Sequence, residues 1–237
     1  MITLFQFPPA WHLPSGSPFC LKVETFLRMA KLPYQITLMA DSRKAPKGKL
    51  PYIHDKGQDL PDSGLILEYL STTYRCDLDE SLPSSAKAIS HAMRHMLEDH
   101  LYWACLYSRW VDERNWPETK GAFFGVFPSG VQNIFPAIMR NQIQSYLSGQ
   151  GMSLYSEDDV YHLGIQDIIA ISDFLRDKDF MMGKTATLLD ATAFAMLAHI
   201  IWVPIESPIK DIALSKPNLI TYCQRMKQDF FPDLRNG

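Results

Sequence analysis

The chain contains no Cys-x-x-Cys pair. Its four cysteines, Cys20, Cys76, Cys105 and Cys223, are scattered over 237 residues. That spread forms no metal-ligand pattern and suits a reducing compartment rather than a disulfide framework. Charge of either sign is not in excess: the formal net charge is −3. No basic run with interleaved aromatics occurs, so a nucleic-acid partner is not expected. No apolar run reaches the roughly 20 residues that span a bilayer. The most apolar late segment, ATAFAMLAHIIWVPI, is shorter and is interrupted by Pro204. The opening MITLFQFPPAWHLPSG lacks the basic start and long apolar core of a signal peptide. These absences predict a soluble, cytoplasmic protein without a transmembrane segment. Repeats and low-complexity tracts are missing as well.

What is present is enough apolar material for one large domain or two small ones, with 46% hydrophobic and 21% charged residues. Ile2 to Phe7 (ITLFQF) reads as a buried strand before Pro8-Pro9. Pro18 to Ala30 reads as a helix, because Phe19, Val23, Phe26, Leu27 and Ala30 share one face. Ser17 is a good N-cap for it and Pro18 a good first residue. Tyr34 to Met39 is strand-like. Tyr52 to His54 opens a hairpin that turns at Asp55-Lys56-Gly57, and Asp62 to Tyr74 is helical. The order is βαβ followed by ββα, and a right-handed crossover makes the first two strands parallel. Cys76 to Pro83 (CDLDESLP) reads as a linker. From Ser84 the pattern is helical, first to about Trp116, then at about 131–149, 156–178, 190–203 and 217–229. A Gly/Phe/Pro loop is expected at Gly121 to Gly130. The predicted organisation is an α/β domain at 1–76, a linker at 77–83 and an all-helical domain at 84–237.

Several short motifs bear chemistry or mimic it. In SPFC, Ser17 stands where a redox motif carries its first cysteine, and a serine cannot form the mixed disulfide of that cycle. It can cap the helix, or it can donate its O–H to a thiolate that the helix N-terminus also favours. Cys20 lies one turn further on and reads either as an inert packing residue or as a lone redox thiol. Leu50-Pro51 is a candidate cis peptide, since an X-Pro bond loses only about 0.5–1 kcal/mol in going cis; an ordinary trans proline at a strand start is the alternative. Asp62-Ser63 opens a helix whose free N–H groups suit a carboxylate, or one of the pair simply caps it. Lys47 and Lys49 flank Gly48 and are either solvated or aimed at an anion. Trp11 and His12 precede Ser17 and border the same region. Tyr102, Trp103, Tyr107 and Trp110 form an aromatic stripe that reads as core or as pocket wall. Thr187-Leu188-Leu189-Asp190 fits a capping box and is a folding element.

SPFCLK after the first strand, KGKLPYI at the third and DSGLILEYL opening the next helix stand in the order of the thioredoxin-like N-terminal domain of glutathione transferases. GKTATLLDATAFAML resembles the helix-starting segment of that superfamily's helical domain. SPFCLKVETFLRMAKLPY, KGKLPYI and NLITYCQRMKQDFFPD resemble, more narrowly, the branch of metaxins and failed-axon-connections proteins. The likeness spans nearly the whole chain.

The resemblance implies a thioredoxin-like α/β domain followed by a helical glutathione-transferase domain, with glutathione as co-substrate. It implies that Leu50, beside Pro51, pairs its backbone with the cysteinyl unit. Asp62 and Ser63 would take the γ-glutamyl end, Lys49 the glycyl carboxylate, and Ser17 the thiolate. Tyr107 would face a small-molecule electrophile held between the domains. A homodimer is the superfamily's usual state. Two rivals stand beside this transferase: a non-catalytic metaxin-like interaction module, and a reductase or peroxidase working through Cys20. The chain departs from the superfamily between Leu38 and Pro51, where Pro46 and a short segment leave room for little more than a turn.

Overall fold

A computed structural model describes residues 1–125 and 134–234 of the chain. The N-terminal part builds one four-stranded sheet from β1 (Ile2–Gln6), β2 (Tyr34–Leu38), β3 (Tyr52–Asp55) and β4 (Gln58–Pro61), in the order β2-β1-β3-β4. β1 runs parallel to β2, with Leu4 opposite Ile36, and antiparallel to β3, with Leu4 also opposite Ile53. The parallel pair follows from the crossover through α1 (Pro18–Met29), and the tight turn at Lys56-Gly57 folds β4 back antiparallel to β3. α2 (Ser63–Tyr74) closes this unit, a thioredoxin-like α/β domain.

α1 is buried on almost every side, because it packs against α2 within its own domain and against α8 (Leu188–Ile201) from the helical domain. Its face toward the helical domain therefore cannot be a polar solvent face. Lys22, Glu24 and Thr25 are all buried and all partnered, as buried polar groups must be. By contrast β2 is a bare edge, with Ile36 and Leu38 exposed. The segment after it forms one 3₁₀ turn, Ser42–Lys44, as its length predicts.

The rest is helical: α3 (Ser84–His95), α4 (Tyr102–Trp110), α5 (Trp116–Phe124), α6 (Ile134–Gln150), α7 (Glu157–Leu175), α8, α9 (Pro208–Leu214) and α10 (Pro217–Phe230). α8 is the axis of this domain. Every residue from Leu189 to Ile201 is buried, and each large apolar side chain placed there contributes about 1.5–3 kcal/mol. α7 lies so close to α9 that a Cβ on Gly164 would overlap Ile209. Among the described residues no helix is long and apolar enough to cross a membrane.

Three expectations need correction. The long helix from Ser84 is not continuous to Trp116. It widens into a π-helical turn at Met96–Leu101 and ends at Trp110. There Asp112 accepts the Arg114 backbone N–H, and Asn115 donates its amide to the Ser108 carbonyl, so side chains replace the helical ladder. Residues 121–124 belong to α5 rather than to the expected loop, whose remaining part beyond Gly125 lies outside the described residues, as do 131–133 before α6. α9 was not anticipated; Ser207, which accepts from the Lys210 N–H, and Pro208 at its first position were its signals.

The capping box at α8 forms as its sequence predicts, and it does more than cap. The Asp190 carboxylate, fully buried, accepts from the N–H groups of Met181 and Thr187, the Thr187 hydroxyl and the Tyr222 phenol, at 2.8 to 3.0 Å. It thereby ties α8 to α10 and to the turn at Met181. Replacing Asp190 with Ala strands four buried donors, and chemical denaturation is expected to show a loss of about 3–5 kcal/mol. A loss under about 1 kcal/mol would show that the network is dispensable.

Candidate functional site

Ser17 occupies the N-cap position of α1, with extended backbone (φ −113, ψ 126), and its side chain makes no capping bond. Helix-capping therefore leaves the hydroxyl unused. Ser17 and Ser15 both lie within hydrogen-bonding reach of the Cys20 sulfur. The Ser15 hydroxyl accepts from the Ser17 N–H at 3.3 Å, and the Ser15 carbonyl lies 3.1 Å from His199 Nε2 on α8. The helical domain thus holds the loop that presents Ser17. Burial and the nearby Arg109 guanidinium push the His199 imidazole down to about 3, so it is neutral there.

The loop is shaped further upstream. Trp11 and His12 adopt left-handed backbone (φ 51 and 61), and Ala10 and Leu13 exchange both backbone hydrogen bonds across them. That geometry is a type I′ turn, unusual for two side-chain-bearing residues. It lays Trp11 over the gap between the domains. The indole N–H donates to Glu118 at 2.9 Å, and the ring stands edge-on to Phe123 on α5. His12 is exposed. Gly16 is required here, because a Cβ would come within 2.9 Å of the Phe123 ring.

At α2 the Asp62 carboxylate, itself exposed and at φ 79, caps the helix by accepting from the Gly64 and Leu65 N–H groups. Ser63 is buried, and its hydroxyl accepts from Lys22 Nζ at 3.1 Å. Lys22 is fully buried, and burial holds its pKa below the usual lysine range. Glu98, in the π-helical turn, pairs with it at 2.6 Å and also accepts from Thr192 Oγ1 on α8. A polar chain Ser63–Lys22–Glu98–Thr192 therefore crosses the domain boundary directly behind the start of α2. The Nε of Arg94 is buried in the same quarter, with no partner among the described residues.

Between Pro18 of α1 and the helical domain lies a cavity of about 20 Å³, bounded by Tyr102, Cys105, Arg109, Met196 and His199. Arg109 is buried, donates to the His199 carbonyl at 2.6 Å, and lies 5.2 Å from the Trp11 ring centroid. Burial raises the Tyr102 phenol and the Cys105 thiol to about 12. A larger hollow of about 360 Å³ lies elsewhere, beside His100, Gln150 and Tyr155, and shares no residue with these groups.

Leu50-Pro51 is cis. The Leu50 side chain is buried with Cys20, Ala45 and Tyr52 in a small cluster. Cys20 is sealed, and burial pushes its thiol up to about 11. Burial thus disfavours the thiolate that a Cys20 nucleophile would need. Lys47 and Lys49 are exposed, and Lys49 points toward the Tyr146 ring of α6, 5.6 Å from its centroid. Tyr107 packs edge-on against Tyr161 of α7. The cavity instead takes Tyr102, Cys105, Leu106 and Arg109, the i, i+3, i+4, i+7 stripe of α4. Among the described residues no group of three His, Cys, Asp or Glu side chains could hold a metal.

Lys22, Glu98, Arg109 and His199 escaped the sequence reading. The available signal was a charged residue inside an apolar helical pattern: Lys22 amid PFCLKVETFL, and Arg109 within YWACLYSRW.

Comparison with known proteins agrees with this layout. Residues 18–115 match the family model of the glutathione S-transferase N-terminal domain, and residues 164–226 that of the glutathione S-transferase C-terminal domain. An isoprene-epoxide–glutathione S-transferase of Rhodococcus is 33% identical, across 97% of this chain and 99% of that protein. Failed axon connections of Drosophila melanogaster is 34% identical across 98% of this chain, which spans only 59% of that longer protein. Human Metaxin-2 is 26% identical, across 95% of this chain and 86% of its own length. A glutathione transferase family member from Pseudomonas fluorescens, solved with two glutathione bound, superposes with a TM-score of 0.62 at 14% identity, covering 97% of this chain and 92% of its own.

The buried chain behind α2 generates a test. Replacing Glu98 with Ala leaves the Lys22 ammonium buried and unpaired, and denaturant titration is expected to show a loss of about 3–5 kcal/mol. Replacing both, as Lys22→Met with Glu98→Leu, is expected to recover most of it. Equal losses in the single and double variants would rule out charge pairing as the cause.

Proposed function

The chain belongs to the glutathione S-transferase superfamily, on its metaxin-like branch, and from that premise we propose that it binds glutathione and transfers it to a small electrophile. One observation carries the reading: Ser17 stands at the head of α1 with a hydroxyl that capping does not use. Beside it are the helix N-terminus and the interdomain cavity bounded by Pro18.

The peptide lies along Leu50 and Pro51, pairing main chain to main chain. Its γ-glutamyl end sits at the start of α2, with the ammonium on Asp62 and the carboxylate on Ser63 and the free backbone N–H groups. Lys22 behind Ser63 occupies one side of that hydroxyl, so the Ser63 proton points outward to the ligand. Lys49 reaches the glycyl carboxylate. Ser17 donates its O–H to the sulfur and favours the thiolate, each pKa unit of lowering corresponding to about 1.4 kcal/mol. The acceptor enters between the domains, and holding both reactants there adds proximity to nucleophile activation. The name of the Rhodococcus relative makes an epoxide the first acceptor to try.

A second reading has its own support. The short Ser42–Lys44 turn leaves Ile36 and Leu38 of the edge strand uncovered, as suits an interaction module without catalysis. Calorimetry separates the two, since the transferase reading requires heat on addition of glutathione. Ser17→Ala is then expected to retain binding, to raise the pKa of the bound thiol by about 1–2 units and to lower turnover about 10- to 100-fold, the value of one charge-assisted hydrogen bond. The absence of any heat or melting shift at millimolar-range glutathione would falsify the proposal.

A further inference from the structure

Arg109 is a buried guanidinium without an acidic partner. Among the described residues no carboxylate lies within salt-bridge distance of it, whereas the buried Lys22 has Glu98 and the half-buried Arg28 has Glu24 and Asp233. Its guanidinium donates to the His199 carbonyl, and Trp11, Tyr102, Cys105 and the His199 imidazole lie near it. A charge removed from water and left unpaired is costly, and folded chains rarely keep one without use. Burial holds its pKa below the usual arginine range, as an unpaired cation requires.

The surroundings show what the charge faces. Arg109 borders the cavity of about 20 Å³ that Pro18, the residue after Ser17, also lines. That volume exceeds the roughly 10–15 Å³ needed for one water-sized occupant, and it holds little more. Tyr102 borders the same space, and its phenol has no hydrogen-bond partner among the described residues. Apart from the neutral His199 imidazole and the Cys105 thiol, the remaining lining is apolar, so the guanidinium acts there in a medium of low dielectric.

We propose that Arg109 forms an atom-sized anion hole in the acceptor pocket, which receives the negative charge that builds on the acceptor's oxygen as the glutathione sulfur attacks. This rests on the glutathione-transfer reading above. It narrows the acceptor class to electrophiles whose reacting centre becomes an oxyanion, such as epoxides. In that step the thiolate lone pair forms the new C–S bond. The ring C–O bond breaks with its pair going to oxygen, and the alkoxide is held by the Arg109 N–H groups until water supplies a proton. The thiol proton has already left to solvent, so glutathione and epoxide add to a hydroxy-thioether with no oxidant or reductant. Arg109 therefore differs from Ser17, which serves the nucleophile.

Two measurements test this separately from glutathione binding. First, wild-type crystals soaked in sodium bromide are expected to show an anomalous peak against the Arg109 guanidinium, absent in Arg109→Met. No peak overturns the anion hole, whether or not glutathione binds. Second, with styrene oxide as acceptor, Arg109→Met is expected to lower kcat by about 10²- to 10³-fold, as loss of an oxyanion donor does elsewhere. Its glutathione Kd by calorimetry is expected to be unchanged and its Tm no lower than wild type, because an unpaired buried charge has gone. Arg109→Lys is expected to recover part of the turnover. Turnover within about threefold of wild type in Arg109→Met overturns the role, as does a wild type that binds glutathione but opens no epoxide. Bromide seated at Arg109 without glutathione binding would instead remove the transferase reading and leave the anion site.

Discussion

Lys22 is the point on which the two domains and the candidate site meet. An ammonium group with no exposed surface must be satisfied inside the protein or not exist there as a charge. It is satisfied from both sides, by Ser63 of the α/β domain and by Glu98 of the helical domain. α1 therefore cannot slide or rotate against the π-helical turn without breaking this ion pair, and Thr192 ties the same Glu98 to α8. The start of α2 is thereby positioned by the helical domain as well as by its own. The π-helical turn at Met96–Leu101 has a local reason in this light: it sits where Glu98 must reach across, while Leu97 and Leu101 stay buried.

The same economy governs the other end of the cleft. His199 on α8 holds the Ser15 carbonyl, Ser15 supports the Ser17 N–H, and Trp11 is tied to α5 through Glu118. The loop that presents Ser17 is thus fastened to the helical domain at two places, and pre-organisation of this kind is what a thiolate-stabilising hydroxyl needs. The turn after β2 carries exposed lysines, and Arg43 there is paired with Asp41 while lying 5.7 Å from the Phe135 ring of α6. In the proposed complex, glutathione would be held firmly at its γ-glutamyl end and more loosely at its glycyl end.

How far the sequence discloses this depends on the scale of the feature. The βαβ-ββα order, the capping box at Thr187 and Asp190, and the short turn after Leu38 are legible because each is set by local periodicity or by residues within one turn. The break after Trp110 was not legible, because the helical pattern runs on past it. What ends the helix is a set of side-chain bonds from Asp112 and Asn115 that only the fold brings into place. Ser17, Asp62 and Ser63 stand at helix starts and could be named from spacing. Lys22, Glu98, Arg109 and His199 could not be paired from the sequence, since their partners lie between 41 and 184 positions away or across the domain boundary. Tyr107 belongs to the aromatic stripe of α4, but the cavity is lined by the neighbouring stripe that begins at Tyr102.

The most direct measurement is a crystal structure of the protein with glutathione. The account predicts an extended tripeptide along Leu50, its γ-glutamyl end at Asp62 and Ser63 in front of Lys22, and its sulfur within hydrogen-bonding distance of the Ser17 hydroxyl. Glutathione seated elsewhere, or a groove closed by the protein's own side chains, would contradict it.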